Sequence, residues 1–253
     1  MEAKNPELFS DELRQALREA RVLIVGVGGL GSFVATEMAY LGFGHLILVD
    51  KDTVSPSNLN RQILYTPADI GKSKVLVAAK RLREINPEIK VEAIDSRLTH
   101  TNGTYIVRRA DIIVDCSDNF ATKKLLNRLA IYHGKPLITA GVGTWEGWVA
   151  TFPFYLEELS QIPCLECLFP LDDKSSHLDL EKISGTALVS TVATVASVQV
   201  NETIKLLTED PDNLEGKTLL IDMKTYQCTP IKIKKNPQCK VCNISTNQGK
   251  TQK

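Results

Sequence analysis

In the first half of the chain, short runs of consecutive apolar residues alternate with longer segments where apolar residues recur every three or four positions. The short runs predict strands at Val22–Val25, Leu46–Val49, Val91–Ile94, Ile112–Val114 and Leu137–Thr139, with another in WEGWVATFPF. The longer segments predict helices at 11–20, about 31–41, 74–85 and 121–132. Because strands that alternate with helices form parallel sheets, we expect an α/β fold with a Rossmann-like, doubly wound, mostly parallel sheet.

The pattern changes in the second half. It is lost between about 154 and 184, and residues 186–207 are then apolar on nearly all faces, which predicts a long buried helix. Strands at Thr218–Met223 and Gln227–Lys234 predict a C-terminal β segment. The last ten residues are polar and are expected to be disordered. We therefore expect one domain over residues 1–243 and a tail at 244–253.

Charge and hydropathy exclude several classes of function. Lys plus Arg equals Asp plus Glu at 30 each, so the net charge does not favour a nucleic acid or an acidic membrane as the main partner. The chain has no run of eighteen apolar residues, and its opening MEAKNPELF is charged, unlike a secretory signal. We expect a cytoplasmic globular protein.

A glycine-rich turn follows the first predicted strand. The sequence GVGGLG at 26–31 fits G-x-G-x-x-G, in which glycines let the backbone approach a phosphate at a helix N-terminus. The motif glycines are Gly26, Gly28, Gly29 and Gly31. Asp50 ends the second strand, where a carboxylate accepts hydrogen bonds from a ribose. NAD, FAD and ATP all fit this motif equally well.

The long polar connection at residues 51–71 favours ATP. Arg61 and then Lys74, at the head of the next helix, place two cations near the turn. Asp118, after the fourth strand at the same sheet edge, supplies a carboxylate for Mg²⁺. A triphosphate carries more charge than a dinucleotide and needs such cations and a metal.

Four of the six cysteines form two CxxC pairs, Cys164/Cys167 and Cys239/Cys242. Paired CxxC motifs in a chain of this composition favour a tetrahedral zinc site over disulfides. Four protein ligands leave no open position, so the zinc would be structural and would tie the crossover segment to the C-terminal region. The alternatives are four reduced thiols and a redox-active CxxC.

These features together resemble the MoeB/ThiF/HesA family, adenylating enzymes related to ubiquitin-activating enzymes. The resemblance covers roughly residues 20–242. It is carried by GVGGLG, the acidic pair of VDKD, SNLNRQ, GKSK, CSDN, PCLECLFP, VASVQVNETIKLL and CKVC. It implies an ATP- and Mg²⁺-dependent adenylyltransferase. The substrate would be a small β-grasp sulfur carrier or ubiquitin-like protein ending in Gly-Gly, and the enzyme would be a homodimer.

The resemblance also assigns roles to single residues. Gly29 lies in the turn over the phosphates, and Asp50 binds the ribose, with Asp52 beside it. Lys74 stabilises charge on the phosphates, and Asp118 binds Mg²⁺ next to Asn119. The residues that would line the ATP site between these elements are Ser57, Asn58, Asn60, Arg61 and Gln62. Arg61, Lys74 and Asp118 are the expected catalytic residues.

Two departures from the family keep other hypotheses open. The opening segment has no counterpart of the R-Y-x-R-Q segment of many relatives, and Arg14 and Arg18 lie on a predicted helix. The stretch DDKSSHLDLEKISG lacks the cysteine that many relatives carry, and Cys116 is expected to be a buried small residue, so a separate sulfurtransferase would complete the pathway. The main alternative is a non-catalytic or half-site subunit. An NAD-dependent dehydrogenase and a relative that acts on tRNA are further alternatives.

Overall fold

A computed structural model describes residues 10–155, 161–169 and 187–243. Eight strands form one sheet in the order β3-β2-β1-β4-β5-β6-β7-β8. Their bounds are β1 Arg21–Val25, β2 His45–Asp50, β3 Lys90–Asp95, β4 Ile112–Asp115, β5 Leu137–Val142, β6 Glu146–Phe152, β7 Lys217–Asp222 and β8 Gln227–Lys232. The first five strands in chain order are parallel, and β6, β7 and β8 continue the sheet as an antiparallel meander.

The strand order reverses direction beside β1. Strand β1 pairs with β2 on one side and with β4 on the other, so Val25 lies between Val49 and Asp115. The loops that leave β1 and β4 therefore diverge at the carboxyl ends of the strands and open a crevice there. The predicted α/β class with a mostly parallel sheet is confirmed.

Helices cover both faces of the sheet. Their bounds are α1 Asp11–Glu19, α2 Gly29–Leu41, α3 Lys74–Ile85, α4 His100–Arg108, α5 Phe120–His133, α6 Leu165–Leu168 and α7 Val189–Leu207. One core cluster contains the buried side chains of α2, α3 and α7, and the second contains those of α4 and α5. The central strands are buried on both sides, which explains their unbroken apolar runs.

Helix α7 confirms the predicted buried helix, but its buried residues are not all apolar. Four of its buried residues are polar, namely Thr191, Gln199, Glu202 and Thr203. Gln199 donates to the backbone oxygen of Asp115 (3.0 Å), while Glu202 accepts from the Thr151 hydroxyl (3.1 Å) and from the backbone N–H of Leu214. These side chains tie the helix to the end of β4, to β6 and to the segment before β7, so their burial is compensated.

Helix α4 was not predicted, because the segment that forms it is mostly polar. A capping box starts it: the Thr99 hydroxyl accepts from the N–H of Asn102, and the Asn102 side chain accepts from the N–H of Thr99. Gly103 then lets the helix approach Leu129 of α5 closely. The start of this helix was missed because its N3 residue is Asn, whereas Glu or Gln is the usual signal.

The long connection 51–71 is compact and contains two 3₁₀ turns, Pro56–Asn58 and Pro67–Asp69. Each begins with a proline, which suits the first position of a helical turn. The predictions for most of the crossover and for the tail at 244–253 fall on residues outside the described ones. Among the described helices, none is long and apolar enough to cross a membrane.

Candidate nucleotide site and cysteine cluster

The glycine turn joins β1 to α2 at the crevice. Gly26 has φ of +88°, and a Cβ there would lie 2.8 Å from the backbone oxygen of Cys116. A Cβ at Gly31 would lie 1.9 Å from the backbone oxygen of Gly26. Gly26 and Gly31 thus permit tight packing of the turn. Gly28 is the N-cap of α2 and has no side chain to satisfy the first N–H groups, which suits an anion at that helix end.

Two side chains brace this turn. The Asp50 carboxylate accepts from the N–H of Val27 (2.8 Å) and of Asp52 (2.9 Å). From the other side, the buried hydroxyl of Tyr65 donates to the backbone oxygen of Val27 (2.6 Å). The carboxylate predicted to bind a ribose therefore also fixes the backbone of the glycine turn.

A cavity of about 1290 Å³ opens at the carboxyl ends of the parallel strands. Ten of the predicted site residues line it, namely Gly26, Gly28, Gly29, Asp50, Asp52, Arg61, Gln62, Lys74, Asp118 and Asn119. Gly31, Ser57, Asn58 and Asn60 do not line it. The two predicted cations and the predicted magnesium ligand thus share one cavity with the glycine turn.

The cations are held by neighbours on the connection 51–71. Lys74 is buried, and its ammonium lies 3.4 Å from the Asp52 carboxylate. Partial burial disfavours that carboxylate, but Lys74 and Lys51 outweigh this effect and lower the pKa of Asp52. The Arg61 guanidinium donates to the backbone oxygen of Ser57 (3.0 Å) and to the Asn60 side chain (2.9 Å).

The predicted site residues of this connection that do not line the cavity hold its other residues in position. Ser57 and Asn60 orient Arg61, and the Asn58 side chain accepts from the N–H of Ser55 (3.0 Å) to close the 3₁₀ turn. Gln62 differs, because its side chain is buried and its Oε1 has no hydrogen-bond partner among the described residues. A buried acceptor without a donor at a cavity wall fits a site that takes a polar ligand.

The CSDN segment forms the facing wall. Asp118 is exposed at the cavity, and the Asn119 amide donates to it (3.3 Å). The Asn119 side-chain oxygen caps α5 by accepting from the N–H of Thr122 (2.9 Å). Asn119 therefore orients Asp118 and begins the helix. An exposed carboxylate opposite a glycine turn is suited to a divalent cation bound to phosphates.

Sequence analysis missed a buried ion pair beneath this wall. Asp115 and Lys123 are both fully buried, with the ammonium 3.1 Å from the carboxylate, and Lys123 also donates to the backbone oxygen of Ala140 (2.7 Å). Ser117 and the Thr139 hydroxyl donate to the same carboxylate. Lys123 lies in a helical segment with several lysines and arginines, so its sequence gave no signal that it is buried.

Two further walls of the cavity were also missed. One is the β3–α4 loop at residues 96–100, which brings Arg97 and His100 to the cavity. The other lies across the antiparallel strands and includes Trp148, Leu220 and Thr229. The cavity therefore extends from the glycine turn across β6, β7 and β8. Sequence analysis missed this extension because β6, β7 and β8 lie far from the glycine turn along the chain.

The two unpaired cysteines lie in contrasting places. Cys116 is buried, as predicted, and burial, aided by the nearby Asp115, raises the pKa of its thiol. A thiol that stays protonated is a poor nucleophile. Cys228 is exposed on β8 and does not line the cavity.

The four CxxC cysteines meet on the face of the sheet that α4 and α5 cover. Their sulfurs all lie within 4.8 Å of one another, with Cys164 to Cys239 at 3.8 Å and Cys167 to Cys242 at 3.4 Å. Sulfurs around one zinc ion at the usual Zn–S length of about 2.3 Å are separated by about 3.8 Å. Cys164, Cys239 and Cys242 are buried, and the buried Asn127 side chain beside them accepts from the backbone N–H of Leu165 (3.1 Å).

The donor set and its spacing therefore fit zinc. Four thiolates complete a tetrahedral coordination shell and leave no position for a substrate. Hydrogen bonds from Cys164 and Lys235 outweigh the effect of burial and lower the pKa of Cys242. The first pair lies at α6 and the second near the C-terminal end of the described chain, so a metal there would tie the two regions together.

Comparison with known proteins identifies a family and related sequences. The sequence model of the ThiF family matches residues 3–241. The sulfur carrier protein adenylyltransferase of Thermus thermophilus is 37% identical over 237 residues, which cover 94% of this chain and 87% of that protein. The molybdopterin-synthase adenylyltransferase of Salmonella typhimurium is 35% identical over 234 residues, which cover 92% of this chain and 91% of that protein.

Solved structures give the same result for the fold. The crystal structure of Escherichia coli MccB with AMPCPP and MccA superimposes with a TM-score of 0.76 at 26% sequence identity. The match covers 92% of this chain and 69% of that one. The sequence and fold relationships therefore point to the same group of proteins.

Proposed function

The chain belongs to the ThiF family, and we propose that it adenylates the C-terminal glycine of a small β-grasp sulfur carrier or ubiquitin-like protein. The named relatives are adenylyltransferases, one for a sulfur carrier protein and one for molybdopterin synthase. The observation that carries the proposal is the single cavity that joins the glycine turn and three charged residues to a wall on the antiparallel strands. One end suits ATP, and the other leaves space for an extended protein terminus.

The reaction is a substitution at the α-phosphorus of ATP. A carboxylate oxygen of the terminal glycine forms the new bond to phosphorus, and the bond to the β-phosphate breaks. The products are an acyl-adenylate and pyrophosphate. No general base is required, because a C-terminal carboxylate is already ionised at neutral pH. The enzyme must instead neutralise charge and hold two anions together.

The residues around the cavity divide this task. Asp50 binds the ribose while it keeps the glycine turn closed over the phosphates. Arg61 and Lys74 are the cations that contact the phosphates. The Lys74 ammonium pairs with the Asp52 carboxylate at 3.4 Å and can exchange this partner for a phosphate. Asp118 would hold Mg²⁺, which neutralises phosphate charge when it is bound.

The Cys₄ cluster has a separate, structural role in this proposal. Zinc held by Cys164, Cys167, Cys239 and Cys242 would join α6 to the segment after β8. The cluster has no residue in the lining of the cavity. Zinc there would stabilise the fold and would not take part in adenyl transfer.

The partner chain and the fate of the product complete the proposal. We expect a homodimer, as the resemblance to the family implies. No cysteine suited to forming a thioester lines the cavity among the described residues, since Cys116 is buried and protonated. The acyl-adenylate would then pass to a separate sulfurtransferase.

A half-site subunit is the second candidate function. The family's N-terminal arginine segment has no match here, and Arg14 and Arg18 on α1 do not line the cavity. Arg97 from the β3–α4 loop does line it and adds a cation from within this chain. The set of charges around the cavity therefore favours the catalytic function over the half-site.

ATP–pyrophosphate exchange by the purified chain tests the proposal. Each candidate β-grasp protein ending in Gly-Gly is added separately, with its terminal glycine deleted as the matched control. We expect exchange that requires Mg²⁺, one carrier and its intact terminus. Binding of ATP without exchange for any carrier would support the half-site subunit, and binding of NAD without ATP would contradict both candidates.

A further inference from the structure

Lys235 lies between β8 and the second CxxC pair and contacts both halves of the cysteine cluster. Its ammonium donates to the Cys242 sulfur (2.9 Å), to the backbone oxygen of Cys242 (2.9 Å) and to the backbone oxygen of Ile162 (2.8 Å). An ammonium group has three N–H donors, so all three are used. Ile162 lies just before the first CxxC pair, so this one side chain bridges the two segments that carry the sulfurs.

The neighbouring residue extends the same arrangement. The backbone N–H of Asn236 points at the sulfur of Cys167 (3.4 Å). Consecutive residues therefore donate to one sulfur from each CxxC pair. Lys234, immediately before them, is exposed.

The charge of a zinc site with four thiolates explains why a cation here would matter. Four thiolates and one Zn²⁺ carry a net charge of −2, in a cluster where three of the four cysteines are buried. Negative charge in such surroundings is unfavourable unless donors or cations compensate it. Among the described residues, the ammonium of Lys235 is the cation in hydrogen-bond contact with a sulfur of the cluster.

We propose that Lys235 is the charge-balancing residue of the Cys₄ centre, which reduces the net charge of the zinc site from −2 to −1 and thereby retains the metal. This inference depends on the proposed zinc but not on the proposed adenylation. Lys235 acts through Cys242 and is a positioning residue, since it does not bind the metal itself. A hydrogen-bonded thiolate is also a weaker nucleophile, so Lys235 protects Cys242 from alkylation.

Zinc affinity tests the proposal directly. Zinc-loaded wild-type protein, Lys235→Met, Lys235→Gln and Lys235→Arg are titrated with the chelator 4-(2-pyridylazo)resorcinol, and Lys234→Met is the matched control. We expect Lys235→Met to bind zinc about 10- to 100-fold more weakly, the usual effect of losing an outer partner of a metal ligand. Lys235→Arg should remain close to wild type, and Lys234→Met should not change.

Lys235→Gln separates charge from hydrogen bonding, because it keeps an N–H donor without the charge, and it serves if Lys235→Met does not fold. Its zinc affinity should resemble that of the Met variant. Alkylation of zinc-loaded protein by iodoacetamide, located by peptide mapping, should be faster at Cys242 in both neutral variants.

Equal zinc affinity in wild type, Lys235→Met and Lys235→Gln would overturn the inference. So would an equal loss of melting temperature in the zinc-loaded and chelator-treated forms of Lys235→Met, because the lysine would then only tie two backbone segments together. A wild-type protein that binds no zinc would refute the zinc proposal itself, whereas a failure of pyrophosphate exchange would leave this test unaffected.

Discussion

The cavity and the cysteine cluster both gather charged groups, but they hold them in opposite ways. At the cavity, Lys74 has one ion-pair partner at 3.4 Å, Asp118 is exposed, and the buried Gln62 oxygen has no partner among the described residues. At the cluster, four sulfurs lie within 4.8 Å of each other, and Lys235 uses all three of its N–H donors. The first region leaves binding capacity open, and the second closes it.

This difference follows from what each region must do. A substrate site has to bind and release charged molecules, so its groups must exchange their partners at small cost. A structural metal site contributes to folding only while it remains filled, so its ligands and their neighbours are satisfied within the protein. Perturbing the cluster should therefore change stability, and perturbing the open groups of the cavity should change activity.

Removal of zinc should have the largest effect. Strong chelation of the zinc-loaded protein should lower the free energy of unfolding by several kcal/mol, because the metal binds the folded state only. Differential scanning calorimetry with and without chelator measures this, with Cys228→Ser as a control outside the cluster. A chelated protein with an unchanged melting temperature would remove the distinction between the two regions.

Lys123→Met should have the next largest effect. Lys123 lines the cavity but is as buried as the cysteine cluster, so this variant should change stability although it lies in the cavity. The change leaves the Asp115 carboxylate buried without its cation, so we expect a loss of about 3–5 kcal/mol in urea unfolding. The adjacent variant Lys124→Met should lose far less. Equal stability of the two variants would mean that the Thr139 and Ser117 donors suffice to hold Asp115.

Lys74→Ala and Asp118→Ala should change activity at nearly constant stability. Each removes charge that stabilises the phosphates, and we expect pyrophosphate exchange to fall at least about 10²- to 10³-fold, or about 3–4 kcal/mol. Lys72→Ala is the matched control, because Lys72 pairs with Asp69 and does not line the cavity. Exchange that survives in either cavity variant would contradict the catalytic roles.

The parts of the fold that the sequence predicted are those governed by local patterns. Apolar runs identified the central strands because strands buried on both faces need apolar side chains at every position. The CxxC spacing likewise predicted which cysteines meet. Helix α4 was missed because its capping box holds a segment with few apolar residues.

The parts that could not be predicted depend on contacts between distant segments. Asp115 and Lys123 are close in sequence, yet their burial depends on Ala140 and Thr139 of β5. Gln199 and Glu202 are polar residues of a mostly apolar helix, and they are buried because β4, β6 and the segment before β7 supply their partners. The ten predicted residues that line the cavity come together because β1, β2 and β4 end side by side.

Glu202 offers the smallest and most selective test, because it is buried on α7 away from both regions. Burial raises the pKa of Glu202 above its ordinary value of 4.5, so the folded protein binds this proton more tightly than the unfolded chain does. The wild-type free energy of unfolding should therefore lose this contribution as pH rises from about 4.5 through the raised pKa.

Glu202→Gln does not titrate, and its amide oxygen can still accept from Thr151 and the N–H of Leu214. The stability of the variant relative to wild type should accordingly increase as pH rises above about 4.5 and level off above the raised pKa of Glu202, as measured by urea unfolding at each pH. Pyrophosphate exchange and zinc content should not change. A stability difference that is constant with pH would mean that Lys205, 3.6 Å from the carboxylate, compensates the burial of Glu202 in full. The charge in this third region would then be satisfied within the protein, as it is at the cysteine cluster.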